Sequence, residues 1–239
     1  MDKMKEMWKN LEAKKKNIII GIVAGVVAAI VIVIACVGIF RGFNAQGYVN
    51  VVLSQNLKGE VKGAVKMTKG LTEAQAKEQY ELTVESFVKN IVASGLELNE
   101  EQTKQCVDIS KKIFKDMKYE VQEAKKISDE EYEVPVKYQT TDVITKLQAL
   151  ATDEKARVEA KVQKGEFRGS GEELEAQMQA EFAGNLPTML QSAYDSMEFG
   201  EETTVVLKVT KNEKGLYVLD GTQTSQFIAK IMGLSVNQD

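Results

Sequence analysis

The chain has 239 residues, with 35 acidic side chains, 31 basic side chains and no histidine. This length suits one ordinary domain with an appendage. An acidic balance argues against nucleic acid as a partner, because neutralising phosphates requires a face of Lys and Arg. The absence of His excludes Ser-His and Cys-His nucleophile pairs and the common zinc sites. We therefore predict no metal and no cofactor.

The N-terminal part of the chain contains a long apolar run. It covers residues 18–40 and reads IIIGIVAGVVAAIVIVIACVGIF, without a charge. As a helix it measures roughly 34 Å, which is enough to cross a hydrocarbon core of about 30 Å. Buried helices of soluble proteins rarely stay apolar on every face over this length. The sequence predicts a transmembrane helix at 18–40, preceded by a short basic tail at 1–17.

The charges that flank the run predict its orientation. Lys14, Lys15 and Lys16 adjoin its N-terminal end, whereas only Arg41 and Lys58 follow closely on the other side. Positively charged flanks stay in the cytoplasm. We therefore expect a single-pass protein of the cell membrane, with a cytoplasmic N-terminus and an extracytoplasmic C-terminal domain.

A cysteine within the run leaves the type of anchor open. Cys36 follows the small residue Ala35, a pattern that resembles a bacterial lipoprotein cleavage site with lipid on the cysteine. The apolar run continues beyond Cys36 to Phe40, however, which favours a retained helix. Ordinary signal-peptide cleavage is the third alternative. The domain is tethered to the bilayer in the first two cases.

Small residues recur at every fourth position of the run, at Gly21, Gly25 and Ala29. Such a stripe lets two helices approach closely and favours a homodimer through the membrane. Gly and Ala are also common in apolar segments and can align by chance, so both interpretations stay open.

The remaining chain predicts one outer domain at 44–233, followed by a short tail at 234–239. Helical spacing of apolar residues begins at Tyr48. Two capping boxes, Thr72 with Gln75 and Asn99 with Gln102, indicate the starts of two further helices. Cys36 and Cys106 are not expected to pair, and an outer domain without disulfides suits a Gram-positive surface.

Two segments change from helical to alternating spacing. The first joins Tyr119 and Val121 to a strand around residues 132–138, and the second joins residues 205–209 to 216–219. Pro135 lacks a backbone donor, which predicts an edge position or a bulge. Helical spacing returns at 142–165 and 174–197, where Pro187 predicts a kink or a restart. The order predicts an α+β domain, with an antiparallel sheet of two hairpins packed by helices.

Several segments in this order resemble a domain of unknown function found in membrane-anchored proteins and lipoproteins of clostridia and related Gram-positive bacteria. The resemblance spans roughly residues 44–233 and rests on four segments, Asn56–Glu60, Gly70–Glu73, Lys118–Val121 and Gly215–Asp220. It implies a surface location and an α+β fold related to nuclear-transport-factor-like or cystatin-like sheets. The family has no established catalytic residues to transfer.

The polar residues of the domain indicate binding rather than catalysis. No calcium loop, phosphate-binding Gly loop or nucleophile elbow occurs in the sequence. Cys106 lies among apolar residues as a small hydrophobic side chain. The strand tyrosines (Tyr119, Tyr132, Tyr138 and Tyr217) are interpreted as core packing, with the lining of a ligand pocket as the alternative.

We therefore expect a non-catalytic module that binds a surface ligand or a protein partner. Two alternatives remain: an enzyme of the cone-fold type that uses an Asp or Tyr in an apolar pocket, and a structural or regulatory accessory of a membrane complex.

Overall fold

The computed structural model describes residues 36–37, 43–68, 70–92 and 96–234. The helices are α1 Ala45–Lys58, α2 Val61–Met67, α3 Glu73–Ile91, α4 Glu100–Asp116, α5 Val143–Gln163, α6 Gly171–Asp195 and α7 Gly221–Ile231. The strands are β1 Cys36–Val37, β2 Tyr119–Val121, β3 Lys125–Lys126, β4 Glu131–Thr141, β5 Phe199–Lys211 and β6 Leu216–Leu219.

The described residues divide into two compact units. The helical unit takes its described residues from Phe87–Ser110 and Val143–Met197. The sheet unit takes its described residues from Val27–Ser86, Lys111–Asp142 and Glu198–Asp239.

The sheet unit contains one curled antiparallel sheet packed by helices, so the predicted α+β class is confirmed. The strands run in the order β1-β6-β5-β4-β2, and β3 also pairs with β4. The longest ladder joins β4 to β5, from Glu131 opposite Thr210 to Thr141 opposite Phe199. Its register shifts between Gln139 and Thr141.

Pro135 lies in a strand with neighbours on both sides, so the predicted edge position is wrong. The carbonyl of Pro135 accepts a hydrogen bond from Gln122 N at 2.8 Å, in the gap between β2 and β3. The N and O of one residue in a strand point to the same side. The missing donor of Pro135 therefore faces the gap, and the β4–β5 ladder loses no hydrogen bond. The register shift lies elsewhere, after Gln139.

Side-chain caps explain where the helices of the sheet unit begin. Asn44 Oδ1 accepts a hydrogen bond from Gly47 N at 2.8 Å at the start of α1. The predicted box before α3 is present, because Gln75 N donates to Thr72 Oγ1 at 3.2 Å and Thr72 N donates to Gln75 Oε1 at 3.0 Å. Such caps satisfy backbone donors that a helix start leaves free.

The second predicted capping box lies in the helical unit. Asn99 and Gln102 exchange two side-chain to backbone hydrogen bonds, each of 2.9 Å, before α4. Both boxes are therefore confirmed, because this interaction is local and needs no other part of the fold.

The core of the sheet unit forms between α1 and the inner face of the strands. Tyr48 of α1 is fully buried, and its hydroxyl accepts a hydrogen bond from Leu219 N of β6 at 3.0 Å. Alternate strand residues are also fully buried, namely Val134, Val136, Leu207 and Val209. This alternation follows from the two-residue period of a strand. It matches the faces predicted from the sequence.

Helices α5 and α6 form a packed pair in the helical unit. The buried Glu154 accepts two hydrogen bonds from Arg157, at 2.7 and 2.6 Å, and one from Asn185 Nδ2 at 2.8 Å. Lys161 and Arg157 also bind Glu181, and the Lys161 hydrogen bond and then the Arg157 hydrogen bond lower the pKa of that carboxyl. Helix α6 continues through Pro187 to Asp195, so the predicted restart is wrong.

Most of the predicted transmembrane segment lies outside the described residues. Only Cys36 and Val37 are described, as the short strand β1, with Cys36 opposite Tyr217 and Val37 opposite Leu216. The backbone is extended there rather than helical as the sequence predicts. Among the helices that the structure describes, none combines the length and the apolar character needed to span a bilayer.

Candidate binding site

The residues singled out in the N-terminal part of the sequence are largely beyond structural description. Lys14, Lys15 and Lys16, and the stripe of Gly21, Gly25 and Ala29, lie outside the described residues. Cys36 belongs to β1 at the edge of the sheet. These predictions on orientation, pairing and lipidation stay predictions.

An open cleft of about 490 Å³ lies where β2, β4 and β5 meet the ends of α1 and α4. We call it the distal cleft. Its lining residues are Lys58, Lys115, Asp116, Met117, Lys118, Tyr119, Glu120, Lys137, Tyr138, Gln139 and Glu202. All of them belong to the sheet unit. The cleft therefore combines four lysines and two tyrosines with three carboxylates.

Strand pairing brings the two tyrosines of the cleft together. Tyr119 of β2 lies directly opposite Tyr138 of β4, and opposite residues of an antiparallel pair share one face of the sheet. Both rings contact Phe227 of α7 edge to face, with centroids at 6.4 and 5.3 Å. The tyrosines therefore serve the core and also line the cleft. The sequence presented these two roles as alternatives.

Two lysine ammonium groups of the cleft lie over aromatic rings. Lys58 Nζ is 4.9 Å from the centroid of Tyr119, and Lys118 Nζ is 4.1 Å from that of Phe199. Cation–π contacts of this kind orient the cation without neutralising it. Lys137, by contrast, forms an ion pair of 3.2 Å with Glu202. Lys115 is exposed in the last turn of α4 and also lines the cleft. Lys58, Lys115 and Lys118 are therefore the cations best placed to meet an anionic ligand.

The Tyr119 hydroxyl lies 3.4 Å from Ser54 Oγ of α1. Burial raises the pKa of Tyr119; the hydrogen bond with Ser54 lowers it, and the charge of Glu60 raises it. The phenol therefore stays protonated at neutral pH. It can offer a hydrogen bond but cannot act as a phenolate base.

Carboxylates in and around the cleft do not have the environment of a general acid. Asp116, Glu120 and Glu202 are all exposed. Within the described ranges, Glu154 is the one buried carboxylate, and Arg157 and Asn185 satisfy it in the helical unit. A catalytic acid usually needs a desolvated site that shifts its pKa.

Gln55 is a buried polar side chain that the described fold does not satisfy. It is fully buried in α1, yet neither its amide nitrogen nor its carbonyl oxygen has a hydrogen-bond partner among the described residues. It lies on the same helix face as Tyr48, seven residues earlier, and one turn before Lys58 of the distal cleft. The sequence does not reveal it, because a glutamine in a helix is normally exposed.

Two further candidate chemistries find no support in the described part of the chain. No group of three or more Asp, Glu, Cys or His side chains is arranged there to hold a metal ion. Cys106 is buried, and burial raises the pKa of its thiol to about 11. Such a thiol is a poor nucleophile at neutral pH, which agrees with its predicted packing role.

Two other surface clefts lie in the sheet unit. One of about 450 Å³ lies between α1, α2 and α3, and its lining includes Lys62 and Lys77 as well as Glu60 and Glu73. The other, of about 370 Å³, adjoins the exposed Leu82. Neither of these two clefts is lined by an aromatic ring, so the distal cleft, with four lysines and two tyrosines, is the stronger candidate site.

Comparison of the chain with protein-family models, with curated protein sequences and with solved structures finds no match.

Proposed function

We propose that this chain is a membrane-tethered extracytoplasmic module that binds an anionic ligand in its distal cleft. The observation that carries the proposal is the group of three cations, Lys58, Lys115 and Lys118, beside the paired rings of Tyr119 and Tyr138. A ligand with phosphate or carboxylate groups at intervals fits this arrangement, because each ammonium group can meet one anionic group.

The tether is part of the same proposal. The apolar run at 18–40 and the basic residues Lys14 to Lys16 support a retained anchor with the domain outside the cell. Lipid on Cys36 is the alternative anchor, and the mass of the mature protein distinguishes the two. A homodimer through Gly21, Gly25 and Ala29 is compatible with the retained helix only.

The resemblance to the clostridial domain of unknown function supports a surface location. A curled antiparallel sheet with helices against it is also compatible with the nuclear-transport-factor-like or cystatin-like folds that the resemblance implies. Members of such fold classes differ widely in function. The ligand is therefore argued from the cleft and not from the fold.

Charge reversal in the cleft tests the proposed ligand. The full chain in detergent is titrated with short-chain polyphosphate and with poly-L-glutamate, and neutral dextran serves as the negative probe. We expect Lys58→Glu and Lys118→Glu each to weaken polyanion binding about tenfold, since a charge-assisted hydrogen bond contributes about 1.5 kcal/mol or more. The two polyanions show whether phosphate or carboxylate is preferred.

Lys164→Glu is the matched control, because it changes the net charge equally at an exposed position of the helical unit. Equal loss of affinity in Lys164→Glu and in the cleft variants would mean that the chain attracts polyanions through its total charge, and the cleft proposal would be abandoned. Undetectable binding of both polyanions by the unmodified chain would contradict it as well.

A further inference from the structure

Two described features converge where the tether joins the sheet unit. Cys36 of β1 lies opposite Tyr217 of β6. The Phe43 ring, just before α1, stacks on the Tyr217 ring with centroids 4.0 Å apart and planes inclined by 10°. Tyr217 is itself buried. The chain is therefore fixed to the edge of the sheet on both sides of residues 38–42.

This arrangement limits how far the sheet unit can stand from the membrane. A helical anchor would have to end before the extended residues Cys36 and Val37, so the membrane surface would lie within one or two residues, at most about 7 Å, of the strand pair with Tyr217. A lipid on Cys36 would start from a residue whose Cα is about 5 Å from that of Tyr217. Both forms of the proposed anchor keep Tyr217 within about 10 Å of the bilayer surface.

The surface around Tyr217 has the chemistry of a membrane interface. We call it the tether patch and define it as Lys126, Ile127, Tyr132, Lys211 and Tyr217. Lys211 Nζ lies 5.3 Å from the centroid of the Tyr217 ring, and the Tyr132 ring lies 5.6 Å from it. Ile127 is 45% exposed.

Acidic and backbone groups beside the tether patch hold its residues in place. Lys126 pairs with Asp129 at 2.5 Å, and the Tyr217 hydroxyl donates to the Asp129 carbonyl oxygen at 2.9 Å. Lys211 N donates to Glu130 O at 2.8 Å, which joins the two turns at this end of the sheet. Because the exposed Lys126–Asp129 pair is weak in water, Lys126 can exchange Asp129 for a lipid phosphate.

We infer that the tether patch contacts the lipid headgroups and holds the sheet unit against the bilayer. Tyrosine and lysine are typical of this interface, where rings meet the headgroup level and amines meet anionic lipids. The half-buried Tyr132 and the exposed Lys126 and Lys211 make this contact around the buried Tyr217 ring, and the exposed Ile127 adds an apolar contact. Along β4, Tyr138 of the distal cleft lies six residues from Tyr132, or about 20 Å. The distal cleft is therefore held away from the membrane. The inference rests on the proposed membrane tether.

Fluorescence quenching in vesicles tests this contact. The full chain, with Cys36 and Cys106 replaced by Ala, carries one introduced cysteine. It is either Glu213→Cys, in the turn beside the patch, or Glu201→Cys, which is ten residues along β5 from Lys211 of the patch, or about 33 Å. Each thiol is labelled with an environment-sensitive dye. The vesicles contain three parts phosphatidylglycerol to seven parts brominated phosphatidylcholine. We expect the dye at position 213 to lose most of its emission and the dye at position 201 to keep it.

Two further variants connect the quenching to the patch. Ile127→Asp should restore emission at position 213, whereas Val206→Asp, at a residue that is also 45% exposed, should leave the quenching unchanged. Ile127→Asp without effect would overturn the proposed contact.

The failures of the two proposals are distinguishable. If neither this chain nor the chain with Cys36 intact floats with the vesicles, the membrane tether is contradicted, and this inference with it. A chain that floats but shows no quenching at position 213 would overturn the contact alone. Equal quenching at positions 201 and 213 would mean that the sheet lies flat on the bilayer, which also overturns the inference.

Discussion

Gly233→Ala is expected to lower the free energy of unfolding by about 3 kcal/mol. Gly233 follows α7 with φ of 75°, and a Cβ at this position would overlap the carbonyl oxygen of Thr141 at the end of β4. Gly233 N donates to Lys230 O at 3.0 Å and Leu234 N donates to Ala229 O at 2.9 Å, so the glycine completes a Schellman cap. The variant therefore loses the cap and separates α7 from the sheet.

Gly215→Ala is the matched control for this prediction. Gly215 has φ of 73°, but a Cβ there has nothing within 4 Å. We expect a loss of about 1 kcal/mol from backbone strain alone. Thermal unfolding followed by circular dichroism measures both variants. Equal losses at the two positions would show that the Thr141 contact contributes nothing.

Gln55→Met is expected to stabilise the protein by about 1–2 kcal/mol. Gln55 is fully buried, and its side-chain amide has no hydrogen-bond partner among the described residues. Methionine has a similar shape and no desolvation cost. Chemical denaturation of the chain in detergent measures the change. Destabilisation would instead reveal that the amide binds a polar group, such as an internal water.

Tyr48→Phe supplies the opposite case on the same helix face. Tyr48 is also fully buried, but its hydroxyl accepts a hydrogen bond from Leu219 N at 3.0 Å. Removing the hydroxyl leaves a buried donor unsatisfied, so we expect a loss of about 1–3 kcal/mol. Two changes that each remove polar atoms from the buried face of α1 should thus have opposite signs.

Features that depend on neighbours in sequence were predictable here. The Thr72 and Asn99 boxes need only a partner three residues away, and both are present. The alternation of residues 132–138 likewise gave the buried face of β4, because a strand buries every second side chain.

Features that depend on strand order were not predictable. Pro135 indicated an edge strand, but β4 has neighbours on both sides, with a gap opposite Pro135. The distal cleft requires Lys58, Lys118 and Glu202 to meet, and these residues are far apart in sequence. Periodicity places each residue on a face of its own element and does not determine which elements become neighbours.

The start of the sheet unit, at Cys36 and Val37, shows a third kind of difference between the prediction and the structure. Apolar composition predicted a helix through Phe40, whereas Cys36 and Val37 are extended and pair with β6. Hydropathy measures whether a segment suits a bilayer, but a free sheet edge offers the same segment backbone hydrogen bonds. Residues 18–35 would measure about 27 Å as a helix, which lies within the range that spans a membrane, so the transmembrane helix stays a prediction.

We propose that the distal cleft faces the outside of the cell on a membrane tether. Labelling of intact cells with a membrane-impermeant maleimide tests this location. The labelled variant is Glu201→Cys in a full chain whose Cys36 is replaced by Ala, and the same chain without Glu201→Cys is the control. The buried Cys106 thiol, with its pKa raised to about 11, reacts slowly in the folded control. We predict labelling at position 201 in intact cells, on a protein found in the membrane fraction. Labelling only after the membrane is permeabilised would contradict the position of the cleft outside the cell. A labelled protein in the soluble fraction would contradict the membrane tether.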